Sequence, residues 1–174
     1  MSAVPLGGRM TFGVAEIRRV VPHRYPILLL DRVVELVPGE RLTAVKAVSC
    51  TEACFQRLGD GAGDRDYAYP ATLIVESWAQ AGVLLATWEK PNPDVLVGMV
   101  GLAGAINNVS FGAPVYPGDL LEHRVRLVKV VGDTVILEGE TVVGDRTVMR
   151  VGQFVETQRP VSALRPAEPA PVAG

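Results

Sequence analysis

Few side chains in this sequence combine a type and a setting suited to moving protons. The first is Glu76, the only ionisable group before Glu89 in the apolar stretch from Pro70 to Trp88. A carboxyl in apolar surroundings is costly unless it is paired, kept protonated or used in a reaction. Burial also raises its pKa toward the range in which proton transfer near neutral pH is efficient. The alternative is a carboxylate that reaches the helix rim and pairs with an arginine. The chain has two histidines, His23 and His123. Two cysteines, Cys50 and Cys54, without further Cys or nearby His make neither a disulfide framework nor a zinc site, and read as free thiols of a reducing compartment. No metal site is expected.

Glu76 must be carried by a helix. Leu73, Ile74, Val75, Trp78, Ala81, Val83, Leu84, Leu85 and Trp88 fall on every side of a 3.6-residue period, the pattern of a helix buried all round. Pro70 suits its first turn and Pro91 lies just past its end. Ahead of it, Val14 to Val21 has helical spacing and stops at Pro22. Ile27 to Leu36 and Arg41 to Ser49 read as facing strands about a Pro38-Gly39 turn. Arg57 to Tyr69 is a Gly- and Asp-rich loop, read either as a lid or as a mere connection. Beyond the helix, Val95 to Leu102 is expected as a strand ending in a flexible Gly101 to Gly104. A meander of Leu120 to Val131, Thr134 to Val143 and Arg146 to Thr157 then turns at two Gly-Asp pairs.

At 174 residues the chain fits one domain plus a tail. The expected division is a loose lead at 1–13, a single domain at 14–158 and a disordered Pro/Ala-rich tail at 159–174. A net charge of −2, from 17 basic and 19 acidic residues, argues against nucleic acid as a partner. Polar residues within the central stretch argue against a membrane span, and no signal peptide is read at the start, so a cytoplasmic protein is expected. A curved antiparallel sheet with one apolar face must bury the long helix in its concave side. That is the α+β hot-dog fold. A helix left open along one side then calls for at least a dimer joined edge to edge through the sheets.

Three separated segments carry a resemblance that spans Ile17 to Glu156. Pro22-His-Arg-Tyr-Pro-Ile-Leu-Leu-Leu-Asp-Arg-Val33, Glu76-Ser-Trp-Ala-Gln80, and Asn108-Val-Ser-Phe111 with Pro114-Val-Tyr-Pro-Gly-Asp119 stand in order. They resemble the 3-hydroxyacyl-acyl-carrier-protein dehydratases of the FabZ/FabA type, of bacterial fatty-acid or polyketide biosynthesis. The resemblance implies a hot-dog fold, no cofactor, and an acyl thioester presented on the phosphopantetheine arm of acyl-carrier protein. It also implies a dimeric site in which a His of one subunit faces the Glu of the other. By that resemblance Glu76 is the catalytic acid, and Gln80, one turn later, either holds its carboxylate or makes a plain core hydrogen bond. The backbone N–H of Ala71 or Thr72 would polarise the thioester carbonyl. Tyr69 and Phe111 are expected at the substrate.

The sequence departs from the family where the base should be. The family's His-Phe-Pro-Gly run has no counterpart here: counting forward from Phe55 reaches Leu58, counting back from Glu76 reaches Ala62, and the Pro-Gly before the helix is Pro70-Ala71. Elimination of water needs a base for the α-proton as well as an acid for the hydroxyl. His23 belongs to a segment the family has alongside its catalytic His and is read as a structural loop residue; His123 is read as a sheet-face or surface residue. Asp64, Asp66, Tyr67 and Tyr69 are the candidates for a substitute base in the loop. Three functions follow: a dehydratase subunit giving Glu76 to a site completed by a His-bearing homologue, as homodimer or heterodimer; a thioesterase using Glu76; or a non-catalytic acyl-binding or stabilising subunit.

Overall fold

The computed structural model describes residues 4–6 and 9–164. Eight strands make one antiparallel sheet: β1 (Val4–Leu6), β2 (Arg9–Gly13), β3 (Arg32–Val37), β4 (Arg41–Ala47), β5 (Met99–Phe111), β6 (Leu120–Val131), β7 (Thr134–Val143) and β8 (Arg146–Pro160). Their order across the sheet is β1-β2-β3-β4-β6-β7-β8-β5. Two α-helices, α1 (Val14–Val20) and α2 (Ala71–Thr87), and short 3-10 turns at Ala53–Phe55, Asp64–Tyr67 and Val161–Ala163 are the other elements among the described residues. One long helix against one antiparallel sheet is the α+β hot-dog arrangement the sequence implies.

The helix lies on the sheet because its bulky positions face it. Ile74, Trp78, Ala81, Leu84 and Leu85 are buried in one core with Leu42, Leu121, Val125, Leu137 and Phe154 from the strands. Trp78 meets the ring of Phe154 edge-on at 5.8 Å and donates its indole N–H to the Arg124 carbonyl at 3.2 Å. A Cβ on Gly82 would lie 2.9 Å from Leu137 Cδ1, so a glycine lets the helix approach β7 there. The β6-β7 and β7-β8 turns use Gly132 and Gly144 at φ 58° and 56°, the left-handed conformation that Gly-Asp turns require.

Several boundaries differ from the sequence reading. Residues 9–13 are not a loose lead: β2 pairs with β3, and Phe12 stacks on Trp88 at 4.8 Å. The strand expected at Val95 to Leu102 begins at Met99 and runs through Gly101, paired with Gln158 of β8, and past Gly104, where the register shifts, to Phe111. β8 continues to Pro160, past the expected domain end. The expected tail lies outside the described residues from 165 onward. α2 is not buried all round: Thr72, Glu76, Ala79, Val83 and Ala86 form a partly open stripe at helical spacing. The loop from Arg57 to Tyr69 is more ordered in form than its composition suggests, with a 3-10 turn whose Asp66 carboxylate accepts the Gly63 N–H at 2.9 Å.

Candidate active site

Glu76 projects from the second turn of α2, on the partly open stripe, with its side chain 35% exposed. Gln80 lies one turn further on and is 1% exposed. The Gln80 carbonyl oxygen accepts the Leu29 N–H at 3.0 Å, and its amide nitrogen donates to the Ile27 carbonyl and to Glu76 Oε1, each at 2.7 Å. A backbone N–H can only donate, so the Leu29 contact fixes which end of the amide faces Glu76. One side chain thus ties the loop at 27–29 to the helix and holds the carboxylate oxygen.

The loop so held carries His23. Its Nε2 lies 3.5 Å from Glu76 Oε1, and its Nδ1 has no hydrogen-bond partner among the described residues. Burial pulls the imidazole below its usual pKa, outweighing the opposite pull of Glu76, and Arg24 adds to the lowering. A neutral imidazole beside a carboxyl is a pair able to pass a proton. Arg24 shapes this loop, donating to the carbonyls of Val21 at 2.9 Å, His23 at 2.7 Å and Arg18 at 3.0 Å, and so caps the end of α1. Asp31 accepts the Ala47 N–H at 2.7 Å and fastens the segment to β4. The roles of these residues in the Pro-His-Arg-Tyr-Pro…Asp-Arg run are therefore local, except for His23.

Glu76, His23 and Gln80 form the polar end of a cavity of about 290 Å³ between α2, β5 and β8. Its walls run along Ala79, Val83, Val100, Ala103 and Phe154 to a second polar end at Lys90, Asn92 and Gln158. An apolar channel with an acid and an imidazole at one end suits a substrate with a reactive head and an alkyl chain. A larger groove of about 1020 Å³ lies over the sheet, but its acids are committed: Glu35 to Arg41 at 3.1 Å, Glu122 and Glu140 to Arg124 at 2.7 and 3.2 Å, and Glu138 to Arg126. Among the described residues no cluster of His, Cys, Asp and Glu is placed to hold a metal ion.

The other expected site residues lie elsewhere. Ala71 and Thr72 are exposed at the start of α2, and Phe111 is 51% exposed at the end of β5. Tyr69 is buried against Phe55, donates its N–H to the Val115 carbonyl at 2.7 Å, and burial pushes its phenol well up. None of the four lines the cavity that holds Glu76. Within one chain the loop supplies no base to that cavity either: Asp64 and Tyr67 line a separate recess beside Cys50 and Tyr116. His123 is fully buried and not a surface residue; its Nδ1 pairs with the Thr141 hydroxyl at 2.9 Å, and burial, then Lys46, lowers its pKa to about 3. His23 is the residue that sequence reasoning set aside. Its signal was only that it belongs to the segment that packs beside Glu76, a proximity created by the fold.

Residues 21–152 match the family model described as a FabA-like domain. The chain is 36% identical over 137 residues to the 3-hydroxyacyl-[acyl-carrier-protein] dehydratase FabZ of Clostridium kluyveri, covering 79% of this chain and 90% of that protein. To the protein of the same name from Geobacter metallireducens it is 42% identical over 114 residues, 66% of this chain and 72% of that one. In structure it resembles a chain of the dehydratase heterocomplex ApeI:P from Xenorhabdus doucetiae, with TM-score 0.69, 17% identity, and 85% and 93% of the two chains covered. It also resembles the fluoroacetyl-CoA-specific thioesterase FlK, with TM-score 0.57, 17% identity, and coverage of 73% and 90%. At such identities these two show the shared fold alone. No helix among the described residues is long and apolar enough to cross a membrane. The chain belongs to the FabA-like family, with the FabZ-type 3-hydroxyacyl-acyl-carrier-protein dehydratases among its relatives.

Proposed function

We propose that this chain binds 3-hydroxyacyl thioesters carried on the phosphopantetheine arm of acyl-carrier protein and supplies Glu76 to their dehydration, at a site completed by a His-bearing homologue. The carrying observation is that Glu76 is held by Gln80 at one polar end of a cavity with apolar walls, while the loop that bears the base in the family has Leu58 and Ala62 at the two counted positions. In the reaction a base takes the α-proton, the Cα–Cβ double bond forms, and the β-hydroxyl departs with a proton from Glu76 as water. The N–H groups of Ala71 and Thr72, open at the start of α2, would polarise the thioester carbonyl of the opposite subunit's substrate. β5 supports the assembly: it is the end strand of the sheet, thirteen residues long, with Leu102 and Ile106 exposed along it.

A second reading rests on the 3.5 Å separation of His23 and Glu76: the two groups serve as base and acid within one chain. Mass measurement of a 3-hydroxyacyl-carrier protein separates these. Under the first reading the pure chain leaves the mass unchanged, and the mixture with a His-bearing homologue removes one water only when Glu76 is intact. Loss of water by the pure chain, abolished by His23→Asn, would transfer the base to His23. Release of free thiol abolished by Glu76→Gln would assign thioester hydrolysis instead, and no effect of Glu76→Gln on any turnover would leave an acyl-binding subunit.

A further inference from the structure

Glu156 is a second buried carboxyl, set behind the wall of the acyl cavity that Gly101, Ala103, Phe154 and Gln158 line, and nothing in the dehydration chemistry uses it. It lies on β8 between Phe154 and Gln158, which both line the cavity. Side chains two apart on a strand share a face, so Glu156 projects to the same side. Its ladder partner is Ala103, and its carboxyl reaches diagonally over Gly101, also a cavity residue, where a Cβ would collide with Glu156 Oε1. The glycine therefore leaves the room that the carboxyl occupies. Glu156 is 1% exposed, and neither of its carboxyl oxygens has a hydrogen-bond partner among the described residues. The Tyr69 hydroxyl and His123 Nε2 are also buried without a partner, but among the described residues Glu156 is the one buried side chain with both of its polar atoms left so. Gln80 makes three bonds, Lys46 pairs with Glu52, and His123 bonds Thr141.

A buried carboxyl with nothing to bond costs folding free energy that an apolar residue would not. A group that supplies the missing bond therefore binds there with an advantage no alkyl chain has. We propose that Glu156 is a polar subsite along the acyl cavity, selecting chains that carry a hydrogen-bond donor, a hydroxyl or an amine, over plain alkyl chains. The inference rests on the reading of the cavity as an acyl-thioester site. The carboxyl turns about its own side-chain bonds to meet the ligand: a hydroxyl donates a hydrogen bond to a carboxyl oxygen, and an amine takes the carboxyl proton and pairs with the carboxylate as an ammonium. Burial raises the Glu156 pKa to about 7, so both the acid and the carboxylate are accessible near neutral pH.

The test uses unreactive acyl-pantetheine amides with straight chains in three forms: plain, bearing a hydroxyl near the far end, and bearing an amine there. Binding to the full chain is followed by calorimetry, for the wild type, Glu156→Gln and Glu156→Leu. The expected result is at least a tenfold preference for one donor-bearing form in the wild type, retained in part by Glu156→Gln for the hydroxyl and lost in Glu156→Leu, which gains for the plain chain. A hydroxyl preference and an amine preference each support the subsite and name its ligand. Equal binding of all three forms, or a preference unchanged in Glu156→Leu, overturns the subsite and leaves the acyl-site reading standing. Binding of none of them overturns both. Since Glu156→Leu removes an unpaired buried carboxyl, it is expected to fold; Gly101→Ala, which forces the carboxyl to move, checks the geometry independently by changing the preference without removing Glu156.

Discussion

Gln80 binds Glu76 and Ile27 through a single amide nitrogen while its oxygen takes the Leu29 N–H, so the carboxylate and the loop bearing His23 share one support. The site is consequently no more precise than that amide. Gln80→Leu removes three bonds from a buried position and strands the Leu29 N–H. The expected loss is about 2–4 kcal/mol, from an unpaired buried group and the bonds given up. Thermal or urea unfolding measures it. Any activity of the assembled enzyme is expected to fall further than the stability alone explains, since Glu76 loses its anchor. Gln80→Glu distinguishes the two effects: its carboxylate still accepts from Leu29 but repels Glu76.

Glu76→Gln is expected to lower dehydration by about 10²–10⁴-fold, the usual contribution of a positioned acid or base, with little change in melting temperature. His23→Asn is expected to lower it less than tenfold if a partner supplies the base. Single-turnover rates of both variants, read by the mass of the acyl-carrier protein, rank the two residues.

Two buried groups tilt the stability profile in opposite directions. Glu156 keeps its proton in the folded chain up to about pH 7, whereas its ordinary value is 4.5. Its raised pKa means that the folded state holds more protons, so this contribution is full below about 4.5 and is lost as the pH rises through 7. His123 is depressed from 6.5 to about 3 by burial and then by Lys46. Its contribution is full above 6.5 and is lost as the pH falls through 3. Unfolding free energies across this range should show Glu156→Gln flattening the alkaline side and a neutral replacement of His123 flattening the acid side. A profile identical to wild type in both variants would overturn the assignment.

Trp78 joins α2 to the sheet through Phe154 and the Arg124 carbonyl. Trp78→Ala is expected to cost about 3–5 kcal/mol, as large aromatic truncations in a packed core do. Denaturant titration followed by circular dichroism measures it.

The proposed assembly through β5 predicts that Ile106→Lys, on a strand face 37% exposed in the single chain, weakens self-association or pairing with a homologue while leaving the fold intact. Sedimentation of the variant, alone and mixed with the homologue, reads the shift toward monomer. An unchanged sedimentation coefficient would place the partner surface elsewhere.

Local pattern was enough for α2 and for the strands of the meander. Nine apolar residues between Pro70 and Trp88 required a helix, though not the partly open stripe it keeps, and three alternating runs between Gly-Asp turns required a meander, because these preferences act over a few residues. The fold class followed from what such elements must cover. Glu76 and Gln80 were legible as a pair since one helical turn puts them on one face. Tertiary structure decided the rest. Neither β2 nor the continuation of β5 through its glycines has a sufficient local pattern; both are strands because a neighbour's ladder holds them extended. His23 meets Glu76 only because a loop some fifty positions earlier in the chain is pinned by Gln80. The same holds for Glu156, which reads as one more charge in an alternating strand until the fold buries it against Gly101 behind the cavity wall. Distances between residues remote in sequence are set by packing, and the chemistry of this site is made of such distances.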